Sequence, residues 1–159
     1  MGYENLGHTL YCLKQFEEAI AYCRKAINLD PKNAKARFIV GIALLEQNKL
    51  EEAGGFFRKA IELESKNALF HSNLGVVYLR QKKPDQAIVC FRNAIQLDPK
   101  SADAHYNLGL ALHAKGNLEE AIAENRAALR LDPQNTSVQQ WLLKFDSAVQ
   151  KPDAKREPR

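Results

Sequence analysis

A fixed step of 34 residues constrains this chain more than any other feature. Glycines stand at Gly7, Gly41, Gly75 and Gly109, and alanines keep the same step at Ala19, Ala53, Ala87 and Ala121 and again at Ala26, Ala60, Ala94 and Ala128. Leu6, Val40, Leu74 and Leu108 precede the glycines. Pro31, Pro99 and Pro133 close three of the four units, and Ser65 takes the place of the missing proline. Several columns in phase over four copies describe a stack of one supersecondary unit, in which each unit touches mainly its neighbours.

Each unit reads as two helices. In the fourth, Tyr106, Leu108 and Leu112 form one apolar stripe and Leu118, Ile122, Leu129 and Leu131 another, with a break at Lys115-Gly116-Asn117. Helices are therefore expected at 102–115 and 119–131, and 34 residues earlier in each preceding unit. The links run LDPKN, LESKN, LDPKS and LDPQN, so that Asn33, Asn67, Ser101 or Asn135 caps the next helix. Acidic pairs such as Glu17-Glu18 and Glu51-Glu52 open the second helices, and basic residues near Arg24-Lys25, Arg58-Lys59, Arg92 and Arg130 close them, both suiting the helix dipole. Glycine in one helix facing alanine in the other allows an axis separation near the short end of the ~8 to 10 Å range for packed helices.

These columns resemble the tetratricopeptide repeat family, whose motif runs from a large aromatic through Leu-Gly, a tyrosine-like position, Ala, Phe, Ala and Pro. The likeness covers residues 2 to 135. It departs at the aromatic position, which holds Tyr3, Arg37, His71 and His105, and at the phenylalanine position, which holds Cys23, Phe57, Phe91 and Asn125. The expected fold is an all-α solenoid of four tandem helix-turn-helix repeats plus a C-terminal capping helix. The expected divisions are repeats at 1–33, 34–67, 68–101 and 102–135, a capping helix at 136–150 and a disordered tail at 151–159. The capping helix carries Val138, Trp141, Leu142, Phe145, Ala148 and Val149 at helical spacing, and Trp141 or Phe145 is expected to fill the space left where Asn125 replaces phenylalanine. The first repeat begins almost at its aromatic, with no polar cap ahead of it, as a fragment of a longer array would.

Composition excludes several classes of function. The net charge of +4 is half supplied by the last nine residues, and basic and acidic groups elsewhere are interspersed, so nucleic-acid binding is not expected. No apolar stretch approaches the roughly 20 residues of a membrane span. No secretory leader is read at the start. Cys12, Cys23 and Cys90 have no paired spacing, which favours a reducing, cytoplasmic setting and no structural metal. His71 and His105 share a column but lack further ligands. No cofactor loop, nucleophile elbow or catalytic set is present, so the chain is not read as an enzyme.

The resemblance implies that the first helices line a concave groove that holds a partner. Its groove positions fall on Lys35, Phe38, Ile39, Ile42 and Leu45 in the second repeat, on Leu69, Asn73, Val76, Leu79 and Arg80 in the third, and on Tyr106, Asn107 and Leu110 in the fourth. The middle of this face is apolar, and such faces mark binding sites. Asn5, Asn73 and Asn107 share a column that Ile39 interrupts, an incomplete version of the asparagine ladder with which some arrays hold extended peptides. The clamp that other members use for acidic chaperone tails would fall on residues 4, 8, 39, 69 and 73, where only Asn73 matches. The implied function is a protein-protein interaction scaffold or adaptor for an apolar or neutral peptide or helix. Two alternatives are a self-associating scaffold and the substrate-recruiting arm of a larger enzyme. Gly54-Gly55 and Ser65 together suggest a weak seam at which repeats one and two move against repeats three and four.

Overall fold

The computed structural model describes residues 2–149, with side chains to Asp146. Among them are nine helices and no strand: α1 (Tyr3–Cys12), α2 (Phe16–Leu29), α3 (Ala34–Glu46), α4 (Leu50–Leu63), α5 (Ala68–Arg80), α6 (Pro84–Leu97), α7 (Ala102–Lys115), α8 (Leu118–Leu131) and α9 (Thr136–Val149). The expected tail, 151–159, lies outside the described residues, as do the side chains of Ala148 and Val149.

The link residues start the first helices as the sequence requires. Asn33 accepts from the Ala36 amide, Asn67 from Leu69 and Ser101 from Ala104, and Asn135 accepts from Val138 at the head of α9. Each turn inside a unit uses one left-handed residue at the same column: Lys14, Asn48, Lys82 and Gly116 all have positive φ. The acidic pairs do sit in the first turns of the second helices. The basic groups are displaced from their expected place, because α2, α4 and α6 run a turn beyond them and only Arg130 lies in a last turn.

The glycine column works as a notch. A Cβ on Gly41 would stand 2.5 Å from the Phe57 ring, and one on Gly75 would stand 2.6 Å from Phe91. Cys23 fills the notch at Gly7 and Asn125 the notch at Gly109. Asn125 therefore supplies its own filling, and the expected replacement by Trp141 or Phe145 does not occur. Those two rings pack instead with His113, at 5.6 and 4.4 Å. Buried Asn125 donates to the Ala121 carbonyl at 2.8 Å, while its Oδ1 has no partner.

Stacking repeats with the same step. Gln47 donates to Glu17 and Gln81 to Glu51, and Lys115 pairs with Asp85 at the next equivalent place. Arg37, His71 and His105 each contact the carbonyl six residues back, at Pro31, Ser65 and Pro99. Gln139 does the same to Pro133. Helix α9 is thus in phase as a fifth first helix, packed on α8. At the glycine column of this helix stands Leu143, which is 78 % exposed.

The glycines at 54 and 55 do not open the core. One apolar cluster runs from Ile20 through Phe57 to Leu74, Val77 and Cys90, across the seam between α4 and α5. Gly54 stands where the other units carry Ile20, Ile88 and Ile122, and Val77 stands where they carry alanine at 43 and 111. A Cβ on Gly54 would meet Val77 at 3.4 Å, so the larger residue on α5 fills much of the volume lost on α4.

Candidate functional site

Backbones of successive first helices approach one another, α1 with α3, α3 with α5 and α5 with α7, whereas the second helices make no comparable approach among themselves. A stack closer on one side curves toward that side, so α1, α3, α5 and α7 line the concave face.

Along this face Ile42, Val76 and Leu110 occupy one column, and each remains partly exposed while resting on the core beneath. Between α5 and α7 the face deepens into a pocket of about 260 Å³ bounded by Leu69, Ser72, Asn73, Val76, Ala94, Asp98, Asp103 and Asn107. Models of the tetratricopeptide repeat match residues 2–33, 22–54 and 72–136, and a TPR repeat model matches 41–82. The chain is a tetratricopeptide repeat protein.

Solved structures agree on the fold. The array superposes on MamA from Desulfovibrio magneticus RS-1 with a TM-score of 0.84 at 24% identity, over 92% of this chain and 83% of that one. It is similar to YrrB, described as a TPR protein with an unusual peptide-binding site, with a TM-score of 0.75 at 26% identity over 86% and 70% of the two chains. It is also similar to the first TPR of Spaghetti (RPAP3) bound to the HSP90 peptide SRMEEVD, with a TM-score of 0.73 at 26% identity over 77% and 97%. No curated protein matches the chain by sequence.

The array does not present all its expected groove residues alike. Ile39 and Leu45 are 1 % and 5 % exposed and belong to the core, so neither offers a surface to a ligand. Phe38 is half-buried, with its ring 5.0 Å from Phe70 and 5.8 Å from Phe57. Lys35 pairs with Glu4 at 2.8 Å, and this ion pair, with an amide hydrogen bond from Asn33, holds the Glu4 carboxyl below its usual pKa. Arg80 donates to the Leu45 carbonyl at 3.1 Å, closing the C-terminal end of α3. Leu79 is half-buried against the C-terminal part of the core. Leu69, Asn73, Val76, Tyr106, Asn107 and Leu110 remain on the face, Leu69 with 62 % of its surface exposed.

The asparagine column is not a uniform ladder. Asn73 donates one amide hydrogen to the Leu69 carbonyl of its own helix at 2.9 Å, which leaves its Oδ1 and its other amide hydrogen unengaged. Asn107 lies on the wall of the same pocket. Asp98 belongs to a link whose sequence signals only a turn; its place in the pocket comes from the end of α6 meeting the start of α7.

Other chemistry has local explanations. His71 is engaged by the Ser65 carbonyl, and His105 by Pro99 and by Glu124 at 2.7 Å. Burial pushes the Cys23 thiol up to about 12 and the Cys90 thiol up to about 11, values unsuited to a nucleophile; Cys12 is the exposed thiol. Among the described residues, no group of three or more histidine, cysteine or acidic side chains could hold a metal ion. No described helix is long and apolar enough to cross a membrane.

Proposed function

We propose that this tetratricopeptide array is a non-catalytic interaction scaffold that holds an extended peptide or a helix of a partner protein on its concave face. The observation that carries the reading is the column Ile42, Val76 and Leu110, left partly exposed on three successive first helices, α3, α5 and α7, whose stack curves toward it. Apolar surface aligned in this way gains stability when a partner removes it from water. Two similar arrays support the reading, one described with a peptide-binding site and one bound to a peptide. An acidic chaperone tail is a poor match, because Glu4, His8, Ile39 and Leu69 stand at four of the five clamp positions.

A peptide selected from a displayed random library against the array, then measured by fluorescence anisotropy, tests the reading. Ile42→Asp with Leu110→Asp is expected to weaken binding at least about a hundredfold, since each charge meets an apolar ligand surface without a partner. The far-ultraviolet circular dichroism is expected to stay helical. Undiminished binding by the double variant refutes the assignment of the groove.

A further inference from the structure

The three seams of the concave face differ in how their charges are satisfied. At the first, between α1 and α3, Glu4 is met by Lys35 of the chain itself, 2.8 Å away. At the third, between α5 and α7, the pocket wall contains two carboxylates and no lysine, arginine or histidine. Asp103 has no hydrogen-bond or ion-pair partner among the described residues. Asp98 Oδ1 accepts from the Lys100 backbone N–H at 3.1 Å, which leaves its other oxygen.

Two further features set the same sign of charge. Asp98 is the C-cap of α6, so the negative end of that helix dipole points into the same place, where a cation is favoured. Asn73 donates one amide hydrogen to the Leu69 carbonyl, and its Oδ1, which has no partner among the described residues, is available as an acceptor. Leu69 and Val76 provide an apolar wall of the length that the methylene stem of a basic side chain covers.

We propose that this pocket receives a basic side chain, arginine above lysine, from the segment held in the groove, an inference that rests on the groove reading given above. Arginine suits it better because acceptors arrive from different directions, from the end of α6, the start of α7 and the middle of α5. A planar fork of five donors reaches several of them at once, where an ammonium acts as a single point of charge. The neighbouring seam cannot do this, since Lys35, Ile39 and Leu69 occupy the columns that hold Leu69, Asn73 and Asp103 in the pocket.

The test uses small probes, Nα-acetyl-arginine methylamide and its neutral isostere Nα-acetyl-citrulline methylamide, titrated into the isotope-labelled array. The side-chain amide signals of Asn73 and Asn107 report the binding. The arginine probe is expected to shift both signals saturably and to bind about tenfold tighter than the citrulline probe, with the lysine counterpart between them. The variant Asp98→Asn with Asp103→Asn is expected to erase that preference. Its folding is safeguarded because the amide introduced by Asp98→Asn keeps an oxygen that accepts from the Lys100 backbone N–H.

Equal binding of arginine and citrulline, a preference surviving in the double variant, or the absence of any saturable shift overturns the proposal. The Ile42→Asp and Leu110→Asp variant separates the two readings. With the pocket intact, it keeps arginine binding while losing the selected peptide if both hold. Arginine binding beside unimpaired peptide capture sinks the groove reading alone.

Discussion

The two ends of the concave face are built from the same columns yet have opposite fates. At the α1–α3 end, most of the groove-facing positions are consumed by the protein, Ile42 excepted: Glu4 by Lys35 and Asn33, Phe38 by Phe57 and Phe70, Leu45 by the core with Arg80 over its carbonyl. At the α5–α7 end, Leu69, Asn107 and Asp103 are left to solvent around a pocket. A shared backbone position therefore guarantees direction but not availability. Availability depends on whether a neighbouring repeat carries a side chain long enough, or of the right charge, to claim it.

The largest expected effect separates these two ends by stability. Phe38→Ala removes a ring that packs between two buried aromatics, Phe57 and Phe70, and is expected to cost about 3 kcal/mol in urea unfolding. Leu69→Ala, on the open end, is expected to change stability by no more than about 0.5 kcal/mol. Equal costs at the two positions would erase the distinction.

A second experiment asks whether the middle of the array is compensated or merely loose. Gly54→Ile brings a side chain against Val77, already 3.4 Å from the place of its Cβ, and is expected to destabilise by about 1 to 3 kcal/mol through overpacking. Val77→Ala should reverse most of that loss, so the double-mutant cycle shows coupling of about 1 kcal/mol or more. Independent, additive effects would mean that the two residues do not exchange volume. That outcome would favour the sequence expectation of a weak seam.

The smallest effect concerns pH at the closed end. The Glu4 carboxyl is held below its ordinary pKa of 4.5, first by Lys35 and with help from Asn33. Its stabilising contribution is full above pH 4.5 and is lost as pH falls through the lowered folded value. With the lysine partner well exposed, the effect is expected to stay below about 1 kcal/mol. Comparing wild type with Glu4→Gln across about pH 3 to 6 should show the difference in stability vanish at the acid end. A constant difference would place the contribution elsewhere.

Much of the fold was legible because the repeat multiplies weak local signals. A single Asn before an alanine is an ambiguous cap, but Asn33, Asn67, Ser101 and Asn135 in one column are not, and all four accept from the helix they precede. The same agreement of columns made the resemblance specific. The groove was legible only as a set of directions. Ile39 and Leu45 follow the groove pattern as well as Ile42 does, and the packing of adjacent helices withdrew them. Asp98 carried a signal that pointed to turn formation, so its part in a pocket was hidden until α6 and α7 were seen to meet there.

By itself, the sequence determined the helices, their caps and turns, their pairing through glycine notches and the order in which they stack. These follow from hydrogen bonds and contacts that recur every 34 residues and need only neighbouring elements. Tertiary structure alone decided which side chains stay accessible on the concave face, because burial and charge pairing depend on residues one or two helices away. Glu4 and Lys35 are 31 positions apart and satisfy each other, whereas Asp98 and Asp103, five apart, together leave a place for a cation.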